Sequence, residues 1–155
     1  MIKKVWLGML LFSITAGNVL AFDANKAEGF NAFYSHMTQK ACADSKLAID
    51  SDEVMQMLRE EKKFTFLDIR TEGEMAVLGL KTPNTLAIPL QHLFEKESLE
   101  KLPKDELIVV VCHSGTRATM AVASLKMLGF KNTRVMKGGI VALAQGDTPK
   151  NAPLK

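Results

Sequence analysis

Cysteine is scarce in this 155-residue chain: Cys42 and Cys112 are the only two, beside three histidines, one tryptophan and one tyrosine. Two cysteines allow at most one disulfide, so the chain is not a small scaffold stapled by bridges. No Cys-x-x-Cys or His-x-x-x-His spacing occurs. His36 and His92 read as surface residues, so no metal site and no haem attachment is expected. Glycine-rich phosphate loops of the dinucleotide or Walker type are missing as well, and no organic cofactor is predicted. Charge of one sign is also lacking. The formal net charge is +3 and no basic cluster is interleaved with aromatics, which excludes a nucleic-acid partner.

Long apolar runs are missing too. The uncharged stretch from Val5 to Ala21 falls short of the ~20 residues of a comfortable membrane span, and Gly8, Ser13, Thr15, Gly17 and Asn18 interrupt it. It follows Lys3 and Lys4 and ends in Val19-Leu20-Ala21, the form of a cleaved secretory signal over residues 1–21. The expected mature protein begins near Phe22, works in the bacterial periplasm or the medium, and has no membrane contact after cleavage. Loss of the two lysines leaves 18 basic against 17 acidic residues, a net charge of +1.

What is present is an alternation of short apolar runs with helical patterns. In residues 22–46, Phe30, Phe33, Tyr34 and Met37 recur at i, i+3, i+4 and i+7, which predicts an amphipathic helical extension lying on the domain. Residues 47–147 then read as one α/β domain. Leu47 to Ile49, Phe64 to Ile69, Thr85 to Ile88, Leu107 to Val111 and the segment around Val135 and Met136 are strands. Asp50 or Ser51 caps a helix, Glu72 to Val77 forms a short one, and Gln91 to Lys101 a charged helical segment. Ala118, Ala121, Val122 and Leu125 mark a helix that Gly129 ends. A further short helix follows Lys137-Gly138-Gly139, and residues 148–155 are a tail rich in Pro and Lys.

The uninterrupted run Leu107-Ile108-Val109-Val110-Val111 predicts a central parallel strand buried on both faces. It delivers Cys112 to the carboxyl end of the sheet, where ligands bind in open α/β folds. His113-Ser114-Gly115-Thr116-Arg117 then lead into a helix from about Thr116. Unpaired amides at that helix start and the Arg117 guanidinium favour an anionic sulfur. Gly115 allows a tight turn, Ser114 and Thr116 offer hydroxyl donors, and His113 either tunes Cys112 or faces solvent. A Cys42–Cys112 disulfide is the competing reading. The unequal flanks argue against it as a structural bridge, because Ala41 and Ala43 offer Cys42 nothing comparable.

Read together, Cys112-His113-Ser114-Gly115-Thr116-Arg117, Asp68-Ile69-Arg70 with Glu72 and Glu74 after it, Ile88-Pro89-Leu90 and Lys137-Gly138-Gly139 resemble the rhodanese family in kind and order. The resemblance implies a three-layer α/β fold, a mostly parallel sheet of about five strands flanked by helices. It also implies a sulfurtransferase that carries a sulfane sulfur as a Cys112 persulfide, with residues 113–117 forming the active loop and Asp68 and Arg70 structural beside it. A small donor such as thiosulfate or polysulfide, and a thiol, cyanide or protein acceptor, would be the partners, without metal or organic cofactor. Leu80-Lys81-Thr82-Pro83-Asn84 departs from the family's usual Gly-His-Ile-Pro-Gly region, and Leu143 stands in for its usual tryptophan. Two alternatives remain: a non-catalytic binding or persulfide-carrying module, and an oxyanion enzyme of the phosphatase or arsenate-reductase type. The four residues between Cys112 and Arg117, one fewer than those enzymes use, favour sulfur.

Overall fold

A strand covered by helices on both faces has to be apolar at every position, and Ile108, Val109, Val110 and Val111 are all fully buried. The computed structural model describes residues 22–146. The expected signal (1–21) and the tail (148–155) lie outside them. In chain order the elements are α1 (Ala24–Tyr34), α2 (Gln39–Asp44), β1 (Ala48–Ile49), α3 (Ser51–Arg59), β2 (Thr65–Asp68), α4 (Glu72–Val77) and β3 (Thr85–Ala87). There follow α5 (Leu90–Leu93), α6 (Lys96–Glu100), β4 (Ile108–Val111), α7 (Thr116–Met127), β5 (Thr133–Met136) and α8 (Gly139–Gly146). The five strands pair in the order β1-β5-β4-β2-β3, every neighbour parallel. The predicted sheet is therefore the observed one, with β4 at its centre.

Side chains alternate across a strand, and the two halves of the core sort by that parity. Leu67, Ile108, Val110, Cys112 and Val135 pack with Ala118, Ala121, Val122 and Leu125 of α7 and with Leu93 of α5. Phe66, Val109, Val111 and Met136 pack on the other face with Val54, Met55 and Met57 of α3 and with Ile140 and Leu143 of α8. Cys112 thus continues the Ile108–Val110 side of β4 and faces α7.

Two predicted helices divide. The stripe through Phe30 and Tyr34 lies on α1, which ends before Ser35, and Met37 falls in the break. Thr38 then starts α2, its hydroxyl accepting from the Ala41 amide at 3.2 Å. The chain separates into compact units at Ser35/His36, so α2 belongs with the sheet and α1 does not. The segment from Gln91 to Lys101 becomes α5 and α6, because the chain turns at Phe94 and Glu95. Asp50 does cap α3 by position, yet its carboxylate makes no capping bond and instead takes the Lys137 ammonium at 3.0 and 3.1 Å.

Candidate active site

Cys112 follows β4 directly and is 1% exposed. Its Sγ accepts a hydrogen bond from the Gly115 amide at 3.1 Å. That geometry needs the loop to reverse within three residues, and Gly115 does so at φ 100°, ψ −21°, as the N-cap of α7. L side chains avoid this region, whereas glycine enters it freely. His113, Ser114 and Thr116 are exposed around the mouth, with the Ser114 and Thr116 hydroxyls 3.5 Å apart.

The loop rests on the turn after β5. Ile140 N donates to Cys112 O at 2.9 Å and Val141 N to His113 O at 3.3 Å. Gly139 (φ 59°) brings that turn so close that a Cβ there would lie 2.4 Å from Cys112 O and 2.5 Å from His113 O. The Lys-Gly-Gly motif is therefore the seat of the cysteine loop. Between the two runs an open cleft of about 590 Å³ borders Ser114, Thr116 and Met120 on one side and Leu47 and Lys137 on the other.

Arg117 is half-buried and does not stand free. Its two terminal nitrogens donate to Glu74 Oε2 at 2.9 Å and Oε1 at 2.5 Å. Glu74 itself closes a capping box at the start of α4: Thr71 N donates to Glu74 Oε2 at 3.0 Å, and Glu74 N donates to Thr71 Oγ1 at 3.3 Å. The guanidinium holds the Glu74 carboxyl well below the usual carboxylate range, with the Thr71 amide assisting. In return Glu74 raises the basicity of Arg117, partly opposed by burial, and the Cys112 side chain adds in the same direction. Arg117 thus ties the start of α7 to α4.

Asp68 and Arg70 are 1% and 2% exposed and pair with each other. Arg70 Nε donates to Asp68 Oδ1 at 2.9 Å, Nη2 to Oδ2 at 2.6 Å, and the Arg70 amide to Oδ1 at 3.1 Å. Strand register sets Asp68 opposite Val111, and Ile69 N donates to Val111 O at 2.9 Å, so the pair sits beside the strand end that launches Cys112. The two cysteines are not joined. Cys42 is exposed on α2, its sulfur 3.8 Å from Met37 O. α2 ends by a small cavity with Leu107, Asn132 and Thr133 at the amino ends of β4 and β5, opposite the Cys112 end. His36 and His92 are exposed, His92 against Glu95 at 2.7 Å. Among the described residues no group of three or more His, Cys, Asp or Glu side chains is placed to hold a metal.

Comparison with known proteins agrees with this geometry. A family model for the rhodanese-like domain matches residues 50–145. A sulfurtransferase of Allochromatium vinosum is 35% identical over 105 residues, covering 68% of this chain and 94% of that protein. A probable adenylyltransferase/sulfurtransferase of Mycobacterium tuberculosis, MoeZ, is 31% identical over 97 residues, covering 63% of this chain but only 24% of its own length. Among solved structures, a rhodanese-related protein of Thermoplasma volcanium superposes with a TM-score of 0.56 at 28% identity, over 66% of this chain and 94% of that one.

Proposed function

Because this chain belongs to the rhodanese-like domain family, we propose that it is a sulfurtransferase in which Cys112 accepts a sulfane sulfur from thiosulfate or a related donor, holds it as a persulfide and passes it to a thiophilic acceptor. The observation that carries this reading is the Cys112 sulfur at the end of the central strand with the Gly115 amide aimed at it. In the first step the thiolate attacks the outer sulfur of thiosulfate. The donor S–S bond breaks, a new S–S bond forms on Cys112, and sulfite leaves with the electron pair. In the second step a thiolate or cyanide takes the outer sulfur and Cys112 returns as thiolate. Neither step needs an outside oxidant. The amide at Gly115 and the dipole of α7 support negative charge on the inner sulfur, and the neighbouring cleft is room for the acceptor, whether a small thiol or the tip of a protein carrier.

The signal pattern at residues 1–21 supports a site of action in the periplasm or the medium, to be checked by the N-terminal sequence of protein recovered from each fraction. The function itself is tested by supplying thiosulfate and cyanide and following thiocyanate, with the intact mass read in parallel. The expected result is turnover together with a one-sulfur adduct on Cys112, both lost in Cys112→Ser. Turnover in Cys112→Ser equal to wild type would refute the assignment.

A further inference from the structure

The three cations carried by the Cys112 loop and its two neighbouring turns are all matched by carboxylates. Arg117 is held by both oxygens of Glu74, Arg70 by Asp68, and Lys137 by Asp50 at 3.0 Å. Glu72, in the first turn of α4 with Glu74, adds a further negative charge. With Cys112 as thiolate the neighbourhood is therefore net negative, although its sequence, with Arg117 five residues past the cysteine, reads as an anion trap.

Charge then separates the possible sulfur donors. Attack on thiosulfate brings a dianion to a thiolate, a total of −3 on the reacting atoms. Attack on the protonated persulfide of a small neutral thiol, RS–SH, brings no added charge: the donor S–S bond breaks, a new S–S bond forms between Cys112 Sγ and the outer sulfur with its proton retained, and RS⁻ departs with the electron pair. Both steps balance without an oxidant, yet only the first requires an uncompensated cation near the sulfur.

We propose that Glu74 is a specificity-determining residue that, by occupying the Arg117 fork and cancelling its charge beside Cys112, turns the site toward sulfane donors of low charge, the persulfides of small thiols, and away from the thiosulfate dianion. The inference rests on the sulfur-transfer reading above. Glu74 acts through Arg117 and is in that sense a positioning residue. The capping box fixes its carboxylate from the α4 side, so Arg117 cannot swing toward a donor without leaving two hydrogen bonds on Glu74.

The test compares single-turnover loading of Cys112, followed by intact mass, with thiosulfate and with 2-mercaptoethanol persulfide. Glu74→Gln keeps an acceptor for Arg117 and removes the charge. It should raise the thiosulfate-to-persulfide rate ratio about tenfold, the order expected for removing one partly screened unit charge from the site. Glu72→Gln removes the same charge without touching Arg117 and should change the ratio less than about twofold, in keeping with the screening of an exposed charge. An unchanged ratio in Glu74→Gln, or an equal rise in Glu72→Gln, overturns the inference. Wild-type protein gives a second measurement should Glu74→Gln fold poorly. Added potassium chloride should speed thiosulfate loading, as for reactants of like charge, and leave persulfide loading nearly constant. Slowing of thiosulfate loading by salt would mean a net positive site and defeats the proposal. Failure of both donors to label Cys112 would instead remove the sulfur-transfer reading itself.

Discussion

Replacing Gly139 by alanine should damage the site more than any other single-methyl change in it. The added Cβ would meet Cys112 O at 2.4 Å and both the carbonyl oxygen and carbon of His113 at 2.5 and 2.6 Å, about 1 Å inside the 3.4 Å at which ordinary contact begins. These are backbone atoms, so the loop itself has to move. Alanine at φ 59° costs about 1–2 kcal/mol by itself. Displacing the loop also strains the bonds from Ile140 N and Val141 N to Cys112 O and His113 O, each contributing about 0.5–1.5 kcal/mol. The total is about 2–5 kcal/mol. Gly115→Ala provides the internal comparison: its φ of 100° is as unfavourable, but its Cβ would find nothing nearer than Met136 O at 3.5 Å, so only the conformational cost of about 1–2 kcal/mol applies. Urea unfolding should rank Gly139→Ala below Gly115→Ala, and a loop shifted by about 1 Å should lose about a hundredfold in kcat/KM for sulfur transfer. A Gly139→Ala protein with wild-type stability and turnover would refute the claim that the glycine turn seats the cysteine loop.

Asp68→Asn should cost about 3–5 kcal/mol in urea unfolding, since it leaves the buried Arg70 facing a neutral amide. A double Asp68→Leu, Arg70→Met protein should recover much of that loss, because neither charge then remains buried. Phe66→Ala, fully buried between β4 and the α3/α8 layer, should cost about 3–5 kcal/mol in the same assay. The Glu74 clamp gives a pH signature. Its folded carboxyl is depressed from 4.5, with the Arg117 bond as the main cause, so its stabilisation is fully present above about pH 4.5 and is lost only as pH falls below that value. Melts of wild type and Glu74→Gln should therefore differ by a constant amount from about pH 5 to 7 and converge in more acid solution. Convergence on raising the pH would contradict the assignment.

The architecture was largely readable because its signals are local. A short, mostly β-branched apolar run at 107–111 points to a doubly covered strand, and Gly115 before Thr116 and Gly129 after Met127 bracket α7 as expected. The fold's order of motifs likewise placed Cys112 at the sheet end. Spacing alone hid the partners. Glu74 and Arg117 are 43 residues apart, and nothing in the pattern of either segment states that one side chain neutralises the other. The Lys137–Asp50 pair spans 87 residues and was hidden for the same reason, Asp50 having a plausible local use as a cap. The pattern of residues 22–46 reads as one helix because its apolar spacing runs on through Met37, and 91–101 reads as one charged helical segment. It takes a competing cap such as Thr38, or a turn such as Phe94-Glu95, to stop them.

The near-complete burial of the Cys112 sulfur bears on which of two adjacent sulfur atoms an incoming thiol can strike. In the persulfide proposed for Cys112 the outer sulfur would stand about 2 Å beyond the inner one, which belongs to a residue only 1% exposed while His113, Ser114 and Thr116 of the same loop are exposed. Attack on the outer atom delivers the cargo. Attack on the inner atom would shed hydrosulfide and strand the protein as a mixed disulfide. For the persulfide route proposed above, depth would set the regiochemistry: visiting nucleophiles would meet the transferable atom first, and the protein's own sulfur would be shielded from being trapped.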